Sequence, residues 1–187
     1  MGLAHNHHHH NHGAQTARAA MASVATAAFL ILLKSFAAYE TGSVALLGSL
    51  ADTGFDFLAS LLTLFSVRYA ALPADDDHRF GHGKAEALSA LVQVALVTVS
   101  AVLIGWRAVV RLGDGQPTEH PEYGIGVSLI AMAATLALLL YQRQVIKETG
   151  SVAIHGDHVH YQGDLLLNAA VIVAILLDTF LHLRGAD

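Results

Sequence analysis

The sequence predicts an all-α, polytopic membrane protein with about five transmembrane helices, and three observations predict it. More than half of the 187 residues are apolar (54%) and only 13% are charged, with a mean hydropathy of +0.50, values high for a water-soluble domain of this size. The apolar residues fall in long blocks, about Ala19 to Tyr39, Val44 to Val67, Ala85 to Val110, Gly124 to Tyr141 and Leu165 to Leu181. Each is close to the roughly 20 residues a helix needs to cross the hydrocarbon core. Finally, the blocks mostly lack the polar residue at every third or fourth position that a soluble helical bundle shows.

Taken in order, the elements begin with a polar, histidine-rich segment over residues 1–15, "MGLAHNHHHHNHGAQ". It is not a secretory signal, because the apolar run that follows is too long for an h-region; it reads either as a purification tag or as a native metal-attracting tail. One transmembrane domain is expected over 16–187, with spans at about 16–39, 44–68, 84–111, 122–147 and 151–183. With the N-terminus inside, the inner segments hold Arg18, Arg68, Arg79, Lys84, Arg143 and Lys147, and the outer ones hold Arg107, Arg111 and Arg184. That bias favours a cytoplasmic N-terminus by the positive-inside rule. There are no cysteines, which excludes disulfides and thiolate metal sites. The net charge of −5 is scattered and forms no basic stripe for nucleic acid.

Span two contains "SLADTGFDFLAS", which puts Asp52 and Asp56 at i and i+4 on one helical face. An ionised carboxylate at a bilayer centre costs roughly 2.5–3.5 kcal/mol on insertion scales, so the pair needs a compensating partner. Interhelical hydrogen bonds to protonated carboxyls are one answer. Span five offers another: "SVAIHGDHVHYQGDLLLNAA" puts His160 and Asp164 at the same spacing. From the 1.5 Å rise per residue, Asp52 is about 12 Å and His160 about 14 Å from opposite faces of the membrane. Both pairs then fall near the midplane of a core about 30 Å thick. Asp52, Asp56, His160 and Asp164 make an oxygen-rich tetrahedral set with one imidazole, suited to zinc or a similar divalent ion. His155, Asp157 and His158 are read as interfacial residues, or as groups that draw cations toward an entrance.

Between spans two and three, "LPADDDHRFGHGKAEAL" sets Asp75 beside His78, with His82 between two glycines. It is either a solvated acidic loop with incidental histidines or a second, more exposed metal site, for which the glycines let the backbone bend around an ion.

On the stretches "TGSVALLGSLADTGFDFLASLLTLFSVRYAALPADDDHRFGHGKAEALSAL" and "HVHYQGDLLLNAA", the sequence resembles the cation diffusion facilitators, specifically the bacterial zinc/iron efflux type. The resemblance covers nearly all of residues 20–183. It implies that Asp52, Asp56, His160 and Asp164 form an intramembrane transport site, and that Asp75, His78 and His82 form a cytoplasmic loop site. It further implies exchange of cytoplasmic divalent metal for external protons by alternating access, in a homodimer in the inner (plasma) membrane. An aspartate in the first position of the tetrad resembles members that accept zinc together with cadmium or ferrous iron. The family pattern continues into a sixth span and a cytoplasmic metal-binding domain, whereas this sequence ends at Asp187.

The chemistry supports exchange by itself, since metal needs deprotonated carboxylates and neutral imidazole and so competes with protons for the same groups. No catalytic cofactor is expected; zinc or a similar cation is the substrate. The enzymatic alternative, an intramembrane zinc hydrolase, lacks an HExxH or Gly-x-Ser-x-Gly motif, and four ligands would leave no open metal position. A metal-binding membrane fragment without transport is the other alternative.

Overall fold

A computed structural model describes residues 5–42, 44–114 and 121–181. These residues form five helices and no strands: α1 (His5–Thr41), α2 (Val44–Ala70), α3 (Lys84–Asp114), α4 (Pro121–Thr149) and α5 (Val152–Leu181). The expected end of span five at 183 and the first four residues of the histidine-rich segment lie outside the described residues. From His5, that segment continues directly into α1.

Four of the helices, α1 to α4, contain stretches long and apolar enough to cross a membrane. At 30 residues, α5 is about 45 Å long. Its first half carries the polar residues His155 to Asp164, and its second half is mostly apolar, with Asn168 and Asp178 the charged or amide side chains in it.

The distribution of side chains fits a lipid environment. Leu32, Phe36, Phe55, Phe65, Leu91 and Trp106 are exposed, while Ser23, Thr53, Ser60, Thr63, Gln93, Thr135 and Gln142 are buried. Lipid has no hydrogen-bonding capacity, so polar side chains turn inward and pair across helices. Small residues allow the close approach. Ala19, Ala20, Ser23 and Ala27 of α1 are each fully buried, on the side where α1 packs along α2 and α4. In turn α5 packs against α4 and α3.

The start of α5, which fixes the depth of its functional residues, is tightly specified. Gly150 ends α4 in a left-handed conformation (φ 65°), with its N–H bonded to the Ile146 carbonyl at 2.9 Å. Ser151 caps α5: its Oγ accepts from the Ile154 N–H at 3.3 Å and donates to Glu86 Oε2 of α3 at 2.6 Å. A hydroxyl cap with a carboxylate at a helix N-terminus satisfies orphan N–H groups and complements the helix dipole. At the same end of the bundle, the Ser66 hydroxyl of α2 donates to the Ala85 carbonyl of α3 at 2.6 Å.

Candidate metal site

The structure brings Asp56, His160 and Asp164 together, one ligand atom from each lying within 4.8 Å of the others. His160 Nε2 is 3.1 Å from Asp56 Oδ1 and 3.6 Å from Asp164 Oδ2. It is buried and makes no well-aligned hydrogen bond to either carboxylate. The two aspartate side chains are about a quarter exposed (24% and 25%), so the cluster is reachable from outside the packed core. A buried imidazole nitrogen between two partly accessible carboxylates is a donor set suited to a borderline divalent cation.

Asp52 is not in that group. It lies one turn before Asp56 on α2 and is exposed. The geometry therefore assembles three of the four expected ligands.

Lys34 of α1 belongs to the surroundings of the same site. Its ammonium donates to Thr53 Oγ1 of α2 at 2.6 Å and approaches the Ser49 carbonyl at 3.5 Å. That places it beside the α2 residues flanking Asp52 and Asp56, where it interacts electrostatically with Asp56, Asp164 and Asp52.

A second group, Asp75, His78 and His82, also has ligand atoms within 4.8 Å of one another, and it lies outside the helices. His78 Nδ1 is 3.1 Å from Asp75 Oδ1, and His82 Nε2 is 3.4 Å from Asp75 Oδ2. The His82 ring is buried edge-on to Tyr69, with centroids 4.5 Å apart. Gly81, at φ 77°, makes the turn that closes the cluster. The backbone N–H of His78 donates to Asp75 Oδ1 at 2.6 Å. That bond, supported by the His78 side chain and by charge on His78 and His82, holds the exposed Asp75 carboxyl below the usual carboxylate range.

The sequence reading missed an extensive buried polar network, and it misjudged Asp157. Instead of sitting at an interface, Asp157 is fully buried (0% exposed). Its Oδ1 accepts from Gln93 Nε2 of α3 at 3.1 Å, and its Oδ2 accepts from Gln142 Nε2 of α4 at 2.7 Å and from the Ser23 hydroxyl of α1. Gln93 Nε2 also donates to Thr63 Oγ1 of α2, so all five helices meet at this hub. Gln142 Oε1 is 3.2 Å from His158 Nδ1. Nearby, the Tyr161 hydroxyl donates to the Ser23 carbonyl at 3.1 Å and lies 2.9 Å from Ser60 Oγ. The available signal was the set of neutral polar residues Ser23, Thr63 and Gln93 within apolar runs and Gln142 at the end of one. His155 is exposed at the beginning of α5.

Residues 20–187 match the family model described as the cation efflux transmembrane domain. Two similar relatives are cation-efflux pumps named FieF, one from Yersinia pestis (strain Pestoides F) and one from Yersinia pseudotuberculosis serotype O:3 (strain YPIII). Each is 44% identical over 165 residues, covering 88% of this chain and 55% of the relative. The chain thus spans about half the length of the curated relatives it matches.

Proposed function

The chain belongs to the cation-efflux family, and from that premise we propose that this multi-pass membrane protein exports a divalent metal cation in exchange for protons. The observation that carries this reading is the convergence of Asp56, His160 and Asp164 from two helices into one group of candidate ligands. Asp52, one turn along α2, completes the set as the fourth ligand. It shares with Asp56 and Asp164 an electrostatic interaction with the Lys34 ammonium. Three carboxylates and one imidazole suit zinc first, with ferrous iron or cadmium as further substrates.

Metal binds the deprotonated ligands, and protons displace it. When the site faces a more acidic outer medium, protonation of the carboxylates and imidazole weakens their hold on the ion. The protons then return inward on the emptied site. The loop group of Asp75, His78 and His82 collects metal at the cytoplasmic surface, with the N-terminus on the same side. The working unit is a homodimer in the inner membrane.

The test is zinc uptake into proteoliposomes carrying an imposed pH gradient, together with calorimetric binding. The protein should have His5, His7 to His10 and His12 exchanged for serine, because those would bind zinc themselves. Asp56→Ala and Asp164→Ala should each weaken binding at the intramembrane site by more than 100-fold and abolish uptake. Unchanged stoichiometry and affinity in both variants would overturn the site. Binding without uptake in the unsubstituted chain would overturn transport.

A further inference from the structure

The intramembrane ligands have a cationic neighbour that the exchange reading does not use. Lys34 comes from α1, which supplies no ligand, yet its Nζ is held against α2 by Thr53 Oγ1 at 2.6 Å and the Ser49 carbonyl at 3.5 Å. Thr53 is itself buried and hydrogen-bonded to the Ser49 carbonyl at 3.0 Å, so the ammonium docks on a fixed surface. Thr53 is adjacent to Asp52 in sequence and three residues before Asp56. The ammonium interacts with all three carboxylates, Asp56, Asp164 and Asp52. Neither of its hydrogen-bond acceptors is charged, so its position is set by the helix and its charge is left to act on the ligands.

We propose that Lys34 is a specificity-determining residue of the metal site: a fixed positive charge that sets how many charges the substrate must bring. Three carboxylates and one ammonium leave two negative charges. One divalent cation cancels them, and so does the uptake of two protons. In a low-dielectric environment a site with residual charge is expensive, so the loaded site favours a dication over a monovalent or trivalent ion. The same ammonium repels a bound dication, which keeps affinity low enough for release. This inference rests on the proposed metal site but makes a separate prediction.

Removing a charge that repels the substrate should tighten binding, the reverse of what damage to the fold would do. Lys34→Met and Lys34→Arg are compared by zinc calorimetry at pH 8, where protons compete least. The protein is the full chain with its N-terminal histidines exchanged for serine. The quantity read is the component of binding that Asp164→Ala removes. Lys34→Met should bind zinc roughly tenfold or more tightly than the unsubstituted chain, from the Coulomb term lost, and should lose discrimination against trivalent lanthanum. Lys34→Arg, which keeps the charge, should stay within about threefold of the unsubstituted chain.

Equal or weaker zinc affinity in a folded Lys34→Met protein would overturn the proposal. So would tightening in Lys34→Arg as large as in Lys34→Met, because shape rather than charge would then be responsible. If the unsubstituted chain shows no component that depends on Asp164, the metal-site reading itself fails, a distinguishable result.

Discussion

Two buried polar clusters lie three residues apart along α5, and they are built on opposite plans. Around Asp157, a carboxylate with no exposed surface meets hydroxyl and amide donors from three other helices. Around His160, an imidazole nitrogen lies between two carboxylates, with no well-aligned hydrogen bond and with acceptors in excess of donors. The first cluster carries its own hydrogen-bond partners, and a buried group so satisfied holds a structure together. The second has more carboxylate charge than the neighbouring Lys34 ammonium offsets and is a quarter open at its carboxylates, a plan that suits a mobile cation. Charge in a membrane helix thus has two meanings, and the supply of donors around it tells them apart.

The sharpest way to break this contrast is to remove Asp157. Asp157→Ala would take one acceptor each from the Gln93 amide, the Gln142 amide and the Ser23 hydroxyl in the buried core, leaving Gln93 with Thr63 and Gln142 with Ser23. Each buried hydrogen bond lost costs about 1–3 kcal/mol, so a loss of about 3 kcal/mol in stability is expected. It should appear as a lower thermal unfolding midpoint in detergent. The protein that remains folded should still bind zinc through the component that depends on Asp164. A variant of unchanged stability that had lost metal instead would assign Asp157 to the metal site.

A smaller effect is expected one residue earlier. A Cβ at Gly156 would come within 2.6 Å of Gln93 Oε1 and 3.2 Å of the Ala90 Cα. The side chain can yield but the backbone of α3 cannot, so Gly156→Ala should cost about 1–2 kcal/mol of stability, within the usual range for overpacking. Zinc affinity should change less than threefold. A large loss of affinity with unchanged stability would show that the spacing of α3 and α5 governs the metal site directly.

The smallest effect concerns the loop group and separates it from both buried clusters. Asp75 is held below the usual aspartate value of 3.8 by the His78 N–H. Because its folded value is depressed, the pairing contributes fully above the ordinary aspartate range and is lost only as pH falls through the lowered value. The amide resonance of His78, followed by NMR during acid titration, should therefore change with a midpoint below 3.8. A midpoint at or above that value would mean that the loop is not held closed by this bond.

Much of this molecule is readable along the chain. Long apolar blocks determine helices that cross a membrane, since in lipid each backbone polar group must be satisfied within its own segment. The i, i+4 spacing of Asp52 with Asp56, and of His160 with Asp164, places each pair on one face because the helical repeat does so wherever the helix goes. The loop group is almost as legible, its three residues falling within eight positions of one another.

What tertiary structure alone decided is how each helix is rotated and what faces it. Asp52 and Asp56 share a face, yet the group within 4.8 Å takes in Asp56 with His160 and Asp164 and leaves Asp52 one turn away, because the rotation and tilt of packed helices set which turn stands opposite the partner. Asp157 looks like any polar residue at the head of α5 until Ser23, Gln93 and Gln142 close around it. Those partners lie 134, 64 and 15 residues away in sequence. No local pattern encodes such a meeting; the packing of five helices creates it.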